Sequence, residues 1–184
     1  GGHVLETAAK DKYISAVIAQ CPFTDGLSSA LAMDKLTSLK VTGLAIADKI
    51  GSMLGKPPRL INTAGDPGTI ALMTAPDAKP GYLALVPKGV GFTNKVAARV
   101  ALDIIRHFPG KKTPDIDCPV LFCVCENDSV APSEATLRHA HNAPKGEIKL
   151  YSDGHFDIYV GKPFEKVVTD QIKFLKRHVP LSSV

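Results

Sequence analysis

The chain has 184 residues, 45% hydrophobic, 22% charged and 6% aromatic, which is enough apolar content for one domain with a sizeable core. Its 22 Lys and Arg against 18 Asp and Glu leave +4, and the basic residues come no denser than pairs such as Lys111-Lys112 and Lys176-Arg177, which excludes a nucleic-acid footprint. No apolar run approaches the ~18 residues of a membrane span, and four cysteines are too few for a disulfide scaffold.

Gly1-Gly2-His3-Val4 has neither an initiator Met nor a charged-then-apolar leader; a cleaved signal peptide would leave such an end, but Gly-Gly running directly into a helix favours a chain that begins inside a longer protein, at a loop-to-helix junction. Residues 3–10 then read as a short helix, and Tyr13 to Gln20 as a buried strand ended by Cys21-Pro22-Phe23. From Ser28 to Leu54 the apolar positions recur at helical spacing, with Asp34 and Gly51 near the ends, and predict one or two helices. The stretch from Lys56 to Pro87 is broken by six prolines and reads as part of an insertion or lid. Within it, Arg59–Thr63 and Thr69–Met73 form a candidate strand pair joined by the turn residues Gly65-Asp66-Pro67-Gly68. Asn94 to His107 returns to helical periodicity. The last third alternates: strand Pro119–Cys125, helix Ser133–His141, strand Glu147–Tyr151 and helix Pro163–His178, opened by Pro163.

Such alternation predicts an α/β fold with a doubly wound, mostly parallel sheet, in which ligands gather at the carboxyl ends of the strands. Two acid- and histidine-bearing loops fall at such ends. Glu126-Asn127-Asp128-Ser129-Val130-Ala131-Pro132 follows one strand, and Ser152-Asp153-Gly154-His155-Phe156-Asp157 follows the next. A histidine acting as general base needs a carboxylate on its far ring nitrogen to fix its tautomer and stabilise its cation. Asp128 and His155, one crossover apart, suit those roles. Asp25 is the alternative acid; Glu126 would point away, and Asp153 and Asp157 lie too near His155 and more readily shape its loop. For Asp128 itself, a plain Asx turn is the bland alternative.

Asn127-Asp128-Ser129-Val130-Ala131-Pro132 and Gly154-His155-Phe156 resemble the acid and histidine loops of the α/β-hydrolase family, whose triad runs nucleophile, acid, histidine. Within that family, Cys21-Pro22-Phe23-Thr24-Asp25-Gly26 and the stretch from Pro67 to Pro76 look similar to hydrolases near the dienelactone hydrolases and proline-releasing peptidases. The resemblance implies the C-terminal part of such a sheet: residues 1–27 as a nucleophile-helix remnant and strand, 28–112 as a helical lid or cap insertion, and 113–184 as the units bearing acid and histidine. It departs from the family at the nucleophile, because no Gly-x-Ser-x-Gly run occurs here, and implies that the serine and oxyanion hole lie upstream of Gly1.

The activity implied is acyl transfer on an ester, amide or thioester, with a small-molecule acyl substrate and the given chain inactive alone. The alternative is a pseudo-hydrolase domain that binds a ligand or partner without reacting. Phe23, Met73, Tyr82 and Phe156 are candidate substrate-binding residues. Asp66 as a nucleophile is disfavoured by Pro67, which removes a backbone donor. Cys123 and Cys125 belong to an apolar strand, where burial raises a thiol's pKa and suits packing better than attack. His107, His139, His141 and His178 fall on predicted helices and read as surface residues, while His3 would lie near the absent elbow. Cys-x-Cys without a second half is no zinc signature, so neither metal nor organic cofactor is expected. Unpaired cysteines point to the cytoplasm. The sequence leaves oligomeric state open.

Overall fold

The computed structural model describes residues 1–179; the end of the predicted 113–184 segment, positions 180–184, lies outside the described residues. Two compact units make up the chain, one from residues 1–25 and 108 onward, the other Gly26–His107.

The first unit opens with helix α1 (Gly2–Lys10) and strand β1 (Val17–Gln20) and holds the sheet of the alternating C-terminal third. Strand β5 (Val120–Asn127) lies at its centre, with β1 on one side and β6 (Gly146–Gly154) on the other, both parallel to it. Six consecutive residues of β5, Val120 to Cys125, are buried, as expected of a parallel strand covered on both faces. The two-residue period of the strand sorts them. Val120, Phe122 and Val124 pack with Leu5 and Ala8 of α1 and Ala140 of α6 (Ser133–Ala140), while Leu121, Cys123 and Cys125 pack with Val167 and Phe174 of α7 (Gly161–His178). Helices thus lie on both faces of the sheet. The basic last turn of α7, Lys176-Arg177-His178, complements the helix dipole, and Arg177 and His178 both pair with Glu147.

The second unit contains α2 (Gly26–Ala32), α3 (Lys35–Met53), α4 (Ala78–Ala84) and α5 (Val100–Ile105) with a small mixed sheet, so it is not purely helical. Strand β2 (Leu60–Ala64) is central, parallel to β3 (Ala71–Met73) and antiparallel to β4 (Lys95–Ala97). Asp34 caps α3, accepting from the Thr37 amide at 2.8 Å. Val41 and Ala45 of α3 pack on Ile61, Ala98 and Ala101. Asp48, on the same helix, is buried and accepts from the Arg59 amide (2.7 Å), the Arg99 amide (3.0 Å) and the Arg99 Nε (2.9 Å). These bonds tie α3 to the entries of β2 and α5.

Several expectations are corrected. The strand expected over 13–20 is extended in the sheet only at Val17–Gln20. The helix expected over 94–107 divides into β4 and α5, because the Asn94 side chain bridges to β2, donating to the Ala64 carbonyl (2.7 Å) and accepting from its amide (3.0 Å). A helix, α4, forms where prolines argued against long elements; Pro80 sits in its first turn, where no intrahelical amide bond is needed. Gly65-Asp66-Pro67-Gly68 is a turn, with the Asp66 carbonyl accepting from the Thr69 amide and Gly68 at φ 80°, a left-handed conformation suited to glycine. Helix α7 begins two residues before Pro163.

Candidate active site

Because β1, β5 and β6 run parallel, their carboxyl ends share one edge of the sheet, and Cys21, Asp128 and His155 follow or close those three ends. A register shift between Cys125 and Asn127 breaks the regular ladder just before Asp128. The Asp128 carboxylate turns back on its own loop, with Oδ1 accepting from the amides of Val130 (2.9 Å) and Ala131 (2.6 Å). The same carboxylate faces His155, whose Nδ1 lies 2.8 Å from Oδ2 and 2.9 Å from Oδ1. The Asx turn and the acid–histidine pair are therefore one arrangement. The side chain of Asp128 is 2% exposed and that of His155 16%, so the carboxylate is shielded from water while the ring keeps an outlet.

The loop around His155 is braced on each side. Asp157 accepts from the Gly154 amide at 2.8 Å, the loop-shaping role expected of it, and the Phe156 ring lies edge-on to the imidazole with centroids 4.8 Å apart. Across the strand ends, Asn127 Nδ2 donates to the Ser152 carbonyl (3.0 Å) and the Ser152 hydroxyl to Glu126 (3.0 Å), so Glu126 is turned from the imidazole. Asp25 lies 4.0 Å from His139 instead. Phe156 is buried and Phe23 half-buried in the first unit; Met73, on β3, and Tyr82, on α4 edge-on to Phe92, belong to the second.

Cys21 is the residue that sequence reasoning missed here, and its signal was modest: a cysteine before Pro22 at a third strand end of the same edge. Its thiol lies 3.4 Å from the Cys125 sulfur and 3.6 Å from the His155 carbonyl oxygen. The contact with Cys125 and then burial push its pKa far up, and the nearby Asp128 carboxylate adds to this. Tyr159 is pushed up to about 12, chiefly by burial. Cys123 is raised chiefly by burial as well, consistent with packing rather than attack. Donor atoms of Cys21, Asp128 and His155 lie within 4.8 Å of one another, close enough for a metal ion to reach. The carboxylate, however, is already occupied by two amides and the imidazole, and the thiol is held protonated, which fits a hydrogen-bonded group better than a ligand set. Three histidines expected on the surface are only partly exposed: His139 on α6 packs its ring on Gly110, His107 lies beyond the end of α5, and His178, at the end of α7, pairs with Glu147.

A parallel sheet with helices on both faces, and an acid and a histidine at adjacent strand ends, defines the class: the chain has the α/β-hydrolase fold. It is 62% identical over 181 residues to the quorum-quenching protein AidA of Acinetobacter baumannii, covering 98% of this chain and 60% of that protein. Among solved structures, the α/β hydrolase GrgF from Penicillium superposes with a TM-score of 0.71 at 22% identity, covering 98% of this chain and 62% of that one. A monoacylglycerol lipase from Paleococcus ferrophilus gives 0.65 at 16% identity, with 97% and 65% covered. No protein-family model matches the sequence. The chain thus spans about 60% of the length of the curated relatives it matches.

Proposed function

We propose that this chain is the C-terminal part of a serine hydrolase that cleaves an ester, amide or thioester by acyl transfer. The observation that carries the reading is the 2.8 Å contact between His155 Nδ1 and the shielded Asp128 carboxylate. With Nδ1–H held there, the free nitrogen Nε2 is the basic one. In this mechanism His155 takes the hydroxyl proton of a serine as its oxygen attacks the acyl carbonyl. It returns that proton to the leaving alcohol, amine or thiol, and an acyl-enzyme remains. A water molecule, deprotonated by the same histidine, then releases the acid. Asp128 stabilises the imidazolium at each stage. Phe23 and Phe156 are assigned apolar contacts with the substrate.

The serine is proposed to lie upstream of Gly1. The absence of Gly-x-Ser-x-Gly within these 184 residues supports this, as does the shorter span of the chain beside its relatives. The name of the AidA relative directs a substrate screen to signalling molecules that carry an acyl bond. Four cysteines without disulfide partners support a reducing compartment, the cytoplasm; no helix among the described residues is long and apolar enough to cross a membrane.

The test extends the coding sequence upstream to its start and assays the product on p-nitrophenyl esters and matched thioesters and amides. An in-frame Gly-x-Ser just before Gly1 is expected. His155→Ala should then lower kcat by on the order of 10⁴-fold or more, and Asp128→Asn by about 10⁴-fold. Turnover that survives His155→Ala would overturn the mechanism. No upstream nucleophile and no turnover would leave a domain that binds without reacting.

A further inference from the structure

Cys21 is the one non-glycine with positive φ, 40°, among the described residues. A β-carbon makes that region of backbone unfavourable, and residues held there mark positions that the surroundings over-determine. The consequence is a change of face. Along β1, Val17 and Ala19 point to the α1 side of the sheet and Ile18 to the α7 side, so an extended Cys21 would follow Val17 and Ala19. Instead its thiol joins Cys123, Cys125 and Tyr151 on the α7 side. There it meets the Cys125 sulfur at 3.4 Å and the His155 carbonyl at 3.6 Å, with the Asp128 carboxylate also close by.

We propose that Cys21 is a positioning residue for the acid–histidine pair, with the Cys125 thiol donating to the Cys21 sulfur and the Cys21 thiol donating to the His155 carbonyl. This rests on the acyl-transfer reading above. The bond ties the backbone of His155 to the end of β1, so that the imidazole is fixed from its main chain as well as from Asp128. The thiol acts as a neutral donor in this role: the contact with Cys125, then burial, and the adjacent carboxylate keep it protonated, which also removes it as a nucleophile. Glycine at position 21 would relieve the backbone but supply no donor.

The readout is the low-field ¹H NMR resonance of His155 Nδ1–H and its rate of exchange with water, in protein labelled with ¹⁵N-histidine and assigned by its loss in His155→Gln. Cys21→Ala is expected to speed exchange about five- to tenfold, the effect of one net hydrogen bond on a local opening. Cys21→Ser, which restores a donor, should return it most of the way. Cys123→Ala, a similar deletion on the same face without contact to His155, should leave it as in the wild type. Cys21→Gly removes the donor together with the strain, so it covers the case in which Cys21→Ala fails to fold, and it too should speed exchange.

Wild-type exchange in Cys21→Gly or in folded Cys21→Ala would overturn the proposal. So would equal acceleration in Cys123→Ala, or failure of Cys21→Ser to restore the slow rate. A wild-type protein with no low-field His155 proton would instead sink the acid–histidine pairing itself, and this inference with it.

Discussion

At position 139 a histidine ring lies against Gly110, where an added β-carbon would come within 2.5 Å of the imidazole. Burial lowers the pKa of His139; Asp25, 4.0 Å away, opposes the shift, while Arg138 and Lys111 reinforce it. The folded state therefore prefers the neutral ring, and the unfolded chain takes up the proton first as pH falls. The stability from this preference is present in full above the unfolded value near 6.5 and is lost as pH drops through the lower folded value. Urea midpoints should fall between pH 7.5 and 5.5, and His139→Gln should flatten part of that slope; parallel slopes in both proteins would refute the assignment. Asp48 works in the opposite chemical sense. The Arg59 amide foremost, then the Arg99 amide and guanidinium, hold its carboxyl below the usual range, so its contribution is present above the ordinary carboxylate pKa and fades only on strong acidification. Asp48→Asn should speed hydrogen exchange at the Arg59 and Arg99 amides at neutral pH. Unchanged protection there would show that the carboxylate is not what holds α3 to its neighbours.

Strand β5 concentrates the stability of its unit, since its alternate residues are shared between two cores. Phe122 is fully buried, so Phe122→Ala should cost about 3–5 kcal/mol, read as a shift of the urea midpoint by circular dichroism. That is a large share of the ~5–15 kcal/mol typical of a domain. A loss below about 1 kcal/mol would mean the packing is not as described. This element was legible as an unbroken apolar run followed by an acidic loop, and parallel pairing then obliges Asp128 and His155 to share an edge. Residues 94–107 were not legible in the same way. Their apolar spacing suits a helix, yet the first part pairs with β2 because the Asn94 amide clamps the Ala64 backbone, a long-range bond that no local period encodes. The face on which Cys21 lies was hidden for a related reason. A left-handed backbone is announced in a sequence by glycine, and here a cysteine adopts it.

For the molecule as a whole, assembly turns on β1. Among the described residues it pairs with β5 alone and forms one edge of the three-stranded sheet. The Val17 and Cys21 amides donate to Pro119 and Cys123, both at 2.9 Å, so the alternation of an extended strand directs the amides of Ile18 and Gln20 to the other side. Such a row of unpaired donors beside apolar residues is a template for another strand. Residues 1–184 purified alone are therefore expected to self-associate with rising concentration, measured by light scattering. At low concentration, Ile18 and Gln20 should exchange their amide protons rapidly while Val17 and Cys21 stay protected. As association sets in, protection should appear at Ile18 and Gln20 together with the rise in mass. If the chain stays monomeric at all concentrations with both amides exchanging freely, the edge is not adhesive. If both are protected in the monomer, a segment of the same chain covers them, and β1 is not an edge at all.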